Sequence, residues 1–240
     1  MEKGRFNLTV SIDSLHPGHY ESIRKNAHFD KVMENIAYLR AYSERHQRVF
    51  SVKFIVIRQN MNDVPELFDY FNGLGVQLFP KLVDLPYKYS LLSLPSDALM
   101  GLIEKYRQQN FSSDTVLKEF NVSRFKNMTQ TLTDWYSKVV EREKDKKLQN
   151  ASASDLKQGI YRKTEAFLKT QKTFGDNEKA DLLAALNMVF EKTEKKISDT
   201  GALYRIYFAY HALDARLICA ELMRNPAEKL VARFIEESKA

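Results

Sequence analysis

Between Phe6 and Val83 the hydrophobic pattern switches repeatedly between a period of two and one of about 3.6 residues, and this restricts the fold more than any other feature. Phe6 to Asp13 alternates apolar with polar residues without a break and reads as a strand. Phe29, Val32, Met33, Ile36 and Leu39 then recur at helical spacing above a polar opposite face. Val49 to Ile57 is β-branched and aromatic and reads as a second strand. A short helix with Leu67, Phe68, Phe71 and Leu74 on one side follows, closed by Gly73 or Gly75. Val76 to Val83 reads as a third strand, interrupted at Pro80. The order β-α-β-α-β predicts parallel strands joined by right-handed crossovers.

From Ser96 onward only helical patterns occur, so the boundary is expected near Leu94, giving an α/β region at 1–94 and a helical one at 95–240. Leu99, Leu102, Ile103 and Tyr106 mark one helix, and Phe125, Met128, Leu132, Trp135, Val139 and Val140 a longer one. Gln149 to Ser154 is small and polar and reads as a linker. Leu182 to Phe190 marks another helix, and Leu203 to Met223 a single one that Asn225-Pro226 breaks before a last helix through Phe234.

Composition excludes several classes. One cysteine, Cys219, excludes a disulfide framework, a cysteine-only zinc site and an iron–sulfur cluster held by this chain's own thiolates. No apolar run reaches the roughly 18–20 residues that span a bilayer. The first residues lack the pattern of a secretory signal, so a cytoplasmic protein with no membrane contact is expected. Net charge is +6, and no stretch interleaves Lys or Arg with stacking aromatics, which favours a solvated surface over nucleic-acid binding.

Two readings of the first strand stay open on the pattern. Its polar face, Asn7, Thr9, Ser11 and Asp13, lines the lumen of a parallel barrel or faces solvent at the edge of an open sheet. His16 and His19 bracket Pro17-Gly18 in an expected loop, where a turn pair is favoured over a metal site. His211 is expected to be a hydrogen-bonded core histidine and Cys219 a buried, inert thiol.

Ser11-Ile12-Asp13-Ser14, Tyr20 to Arg24, Phe29 to Val32 and Asn35-Ile36 resemble the fourth strand and helix of radical S-adenosylmethionine enzymes, most strongly those with SPASM or twitch extensions. Phe54 to Asn60, Pro65 to Leu67 and Leu74 to Val76 resemble the next units, so that the likeness covers roughly residues 5 to 86. The family's C-x-x-x-C-x-x-C motif and its Gly-Gly-Glu segment are missing. The resemblance therefore implies a partial parallel (β/α) barrel half of three βα units followed by an all-α helical region. It implies the C-terminal portion of such an enzyme, arising by truncation or a split gene and inactive alone.

By the same resemblance, Ser11 and Asp13 contact the ribose of S-adenosylmethionine, Arg24 pairs with the cofactor's carboxylate, and Asn60 reaches a ligand or caps its loop. The bland alternative for Arg24 is a helix-entry pair with Glu21 or Asp30. The 4Fe-4S cluster belongs to the parent family and is not ligated here. It would come with a cluster-bearing N-terminal half, and the substrate is expected to be a peptide or small molecule. Without that half, the open edge of the first strand predicts self-association. The competing function is a non-catalytic interaction scaffold that retains degenerate barrel elements.

Overall fold

The computed structural model describes residues 6–238. Among the described residues no helix is long and apolar enough to cross a membrane. The chain divides into two compact units, one of residues 1–83 and 89–139, the other of residues 84–88 and 140–240.

The first unit opens with β1 (Leu8–Ser11), α1 (Pro17–Ile23), α2 (Phe29–Arg45), β2 (Phe50–Val56), α3 (Val64–Gly73) and β3 (Gln77–Leu82). After segment 84–88, which belongs to the second unit, come a short 3-10 turn (Leu91–Ser93), α4 (Ser96–Arg107) and the first part of α5 (Val116–Lys144). The fold class is α/β with a helical region, built on a three-stranded sheet. Both pairs are parallel, in the order β1-β2-β3. Val52, Phe54, Val56, Ile12 and Leu78 alternate onto one buried face, against which α2 and α3 pack. The opposite face carries Thr9, Ser51, Lys53, Gln77 and Lys81 in adjacent register, with the Thr9 and Ser51 hydroxyls 2.7 Å apart.

β1 is shorter than the expected Phe6–Asp13. Its ladder begins at Leu8 opposite Phe50, and Asn7 bonds by its side chain instead, its Oδ1 accepting from the Val49 amide at 3.1 Å. At the other end the strand gives way where Asp13 uses its carboxylate, rather than its backbone, to reach β2.

Pro80, read as an interruption, lies within β3 opposite Phe54. The Leu78 amide points away from β2, to Asn121, so parallel alternation turns the Pro80 nitrogen outward too and no ladder bond is lost. Asn121 completes that edge as a further strand would: Oδ1 accepts from Leu78 N at 2.9 Å and Nδ2 donates to the Val76 carbonyl at 2.8 Å.

The units do not divide at Leu94. α4 and the start of α5 bury Leu99, Ile103, Phe125 and Leu132, and Phe125 meets Phe68 of α3 edge-on at 4.9 Å, so these helices share the sheet's core.

The second unit holds the end of α5 together with α6 (Lys146–Gln149), α7 (Ala153–Thr170), α8 (Asp176–Lys196), α9 (Thr200–Ala212), α10 (Ala215–Arg224) and α11 (Ala227–Ser238). Segment 84–88 belongs here because the Tyr87 and Lys88 amides donate to the Glu237 carboxylate, which burial pushes above its ordinary range. Part of the expected linker is a helix start: Ser152 and Asp155 form a reciprocal capping box for α7.

The single helix expected over Leu203–Met223 is two, α9 and α10. Asp214 caps α10 through the Arg216 amide at 2.8 Å. Lys163 of α7 closes α9 by donating to the carbonyls of Tyr210, His211 and Leu213 at 3.2, 2.6 and 2.6 Å. His211 is half-buried rather than in the core, and a Cβ on Gly159 would lie 2.7 Å from its Nε2. Cys219 is buried, as expected, and burial pushes its thiol up.

Burial pulls Lys163 from its ordinary 10.5 down to about 8, against the pull of Asp214. Above pH 8 the folded chain has released this proton while the unfolded chain still holds it, so unfolding takes a proton up. This group's contribution is complete above about 10.5 and is lost as pH falls through about 8. The urea midpoint of the wild type relative to Lys163→Met is expected to rise from pH 7 to pH 9.5; a flat difference would contradict the burial.

Candidate functional site

The polar side chains gathered at the C-terminal ends of β1 and β2 form one connected network. This is the end of a parallel sheet at which α/β proteins place ligands. Asp13, just past β1, is fully buried. Its Oδ2 accepts from Arg24 Nε at 2.6 Å and its Oδ1 from the Ile55 amide at 2.8 Å. Arg24 is the residue that ends α1, and its side chain remains 38% exposed. Its carboxylate partner is therefore Asp13, not Glu21 or Asp30. Glu21 instead accepts from the Phe29 amide at 3.0 Å, at the start of α2.

Asn60 is also fully buried. Its Nδ2 donates to the Asp13 carbonyl at 2.6 Å and the Ile55 carbonyl at 2.8 Å, and its Oδ1 accepts from Ile57 N at 2.9 Å. All of its hydrogen-bonding directions inward are thus taken by backbone, and it stitches the chain after β1 to the chain after β2. Ser11 ends β1 and is half-buried. Of the four expected site residues, Asp13, Arg24 and Asn60 meet in one network, with Asp13 and Asn60 spent on internal bonds.

Beside that network lies a second cluster. Pro17 at the first helical position starts α1 where a loop was expected, so His16 precedes the helix and His19 stands on it. Asp63, just before α3, accepts on one oxygen from both Ser14 Oγ and His19 Nδ1, each at 2.7 Å. Ser14 is fully buried and its hydroxyl also accepts from the His16 amide at 3.0 Å. His16 Nε2 lies 3.0 Å from Glu66 Oε2.

The nearly buried Asp63 carboxylate can only accept, so it holds the proton on His19 Nδ1, while the His19 side chain as a whole is 57% exposed. Ser14, with its hydroxyl committed to Asp63, is not arranged as a nucleophile. Sequence reasoning favoured a turn pair for the two histidines; the fold brings Asp63 and Glu66 to them from more than forty positions away. Among the described residues no group of three or more His, Cys, Asp or Glu side chains is arranged to hold a metal ion.

Tyr20 of α1 packs edge-on against Phe29 at 5.8 Å, and burial raises its phenol with Arg24 opposing. It anchors the helix that carries Arg24 and His19.

No protein-family model, curated protein or solved structure matches this chain.

Proposed function

We propose that this chain is the C-terminal half of a radical S-adenosylmethionine enzyme, a half-barrel whose strand ends form one wall of the cofactor site. The observation that carries the reading is the winding of the sheet. Its three strands follow one another in sequence order, as successive barrel strands do and as one half of a doubly wound sheet also does. Helices α2 and α3 pack on one face, and the other carries Thr9, Ser11, Ser51, Lys53, Gln77 and Lys81 together with Ile55 and Phe79, with Arg124 of α5 4.2 Å from the Phe79 ring centre; the polar majority suits a lumen.

The residues fit the cofactor in part. Ser11, half-buried at the strand end, and the exposed portion of the Arg24 guanidinium would meet S-adenosylmethionine, a hydroxyl for the ribose and a fork for the carboxylate. Asp13 acts differently from the sequence expectation, and Asn60 takes the loop-capping alternative. With both carboxylate oxygens of Asp13 and the whole amide of Asn60 engaged, they position Arg24 and the strand ends rather than touch the cofactor. The iron–sulfur cluster does not fit this chain: its one thiol, Cys219, is buried in the helical unit. In the family the cofactor supplies a deoxyadenosyl radical. This chain's own contribution is the wall that binds and orients, and the setting is cytoplasmic.

The scaffold reading draws on the same saturated bonding, since a network that satisfies itself needs no ligand. Co-expression with a cluster-bearing chain encoded beside it separates the two. A 1:1 complex that cleaves S-adenosylmethionine under reducing conditions is expected, with Ser11→Ala raising KM about tenfold or more. A cluster-bearing neighbour that neither binds this chain nor gains activity from it would leave the scaffold.

A further inference from the structure

We infer that a cavity of about 270 Å³ between α4 and α5 is a binding site for a small aromatic carboxylate. The inference stands apart from the reading of the sheet, because every lining residue comes from the two helices and the loop that joins them.

Aromatic rings form the floor. Tyr106 and Phe125 are buried, with ring centres 5.3 Å apart, and Phe111 meets Phe125 edge-on at 4.8 Å. Such a floor offers ring faces and edges to one more ring in the offset or T-shaped arrangements that aromatic pairs prefer. The Tyr106 hydroxyl is spent on the Met61 carbonyl at 2.6 Å, so the floor presents carbon rather than a polar group.

The rim is cationic. Arg107 and Lys126 line the cavity, no Asp or Glu does, and among the described residues neither cation forms an ion pair. Arg107 donates one guanidinium N–H to Thr133 Oγ1 at 3.0 Å, which fixes the plane of the fork and leaves its other donors for a carboxylate. The volume is below that of ordinary drug-sized sites and suits a single ring carrying an acid group.

Phenylacetate is the probe. Two-dimensional NMR of the full chain is expected to show saturable shifts confined to α4 and α5, with a Kd of about 0.1–1 mM for a ligand of about ten heavy atoms. The Arg107→Gln, Lys126→Gln pair, both on the exposed rim, is expected to weaken binding about tenfold. Val122→Phe, which fills the cavity from its wall, is expected to abolish it. Phenethylamine, with the same ring and the opposite charge, should not bind.

The proposal is overturned by phenethylamine binding as tightly as phenylacetate, or by no saturation up to about 10 mM. Unchanged affinity in the folded rim variant also overturns it, and that arm holds even where Val122→Phe fails to fold.

Discussion

Arg24→Ala is expected to destabilise the sheet unit by about 3–4 kcal/mol, more than Asp13→Ala, although Arg24 is the more exposed partner. Removing the arginine strands a fully buried carboxylate with the Ile55 amide as its remaining partner at 2.8 Å. Removing Asp13 strands a guanidinium that reaches water and one backbone amide, a smaller penalty of about 2 kcal/mol. The double variant should therefore cost less than the sum of the two. Trp135, the single tryptophan, is buried in the part of α5 that belongs to the sheet unit, so its fluorescence reports unfolding there. A loss of under about 0.5 kcal/mol in Arg24→Ala would make the pair an ordinary surface salt bridge.

Asn121→Leu is expected to be comparably damaging, by about 3 kcal/mol, although leucine has the same branching and number of heavy atoms and the site is buried. The variant would leave the Leu78 amide and the Val76 carbonyl without partners and remove the bond to Asn72 Oδ1 at 3.1 Å. An apolar side chain cannot stand in for a strand edge. Asn127→Leu, exposed on the same helix, is the control and should be nearly neutral. Equal, small effects at both positions would mean that β3 is completed by something other than Asn121.

Which of these features the sequence reveals follows from their range along the chain. The strands and their parallel order are written in local periodicity, and so are the helices from Ser96 onward. Pro17 and the Ser152–Asp155 box are also local helix signals, and α1 and α7 could have been read from them. The site is different. Asp13 meets the Ile55 amide 42 positions away and His19 meets Asp63 44 positions away, through crossovers whose lengths fix no side-chain pairing in advance. The unit boundary was hidden for the same reason: helical periodicity begins after Leu94, but nothing local says that Phe125 will join Phe68 in the sheet's core. Lys163 ending α9 from 47 to 50 positions away is a third case, and it splits what reads as one helix.

The most direct test of the half-barrel is the outer edge of β1. Leu8 and Ile12 donate their amides to the Val49 and Lys53 carbonyls of the neighbouring strand at 2.9 and 3.1 Å. Parallel alternation then turns the amides of Thr9 and Ser11 to the other side, where among the described residues no strand of the sheet lies. Amide hydrogen exchange at these two residues, measured on the chain alone and with a cluster-bearing partner chain, reads that edge. Fast exchange alone and strong protection in the pair is the expected result; slow exchange already present in a monomer of this chain would contradict it.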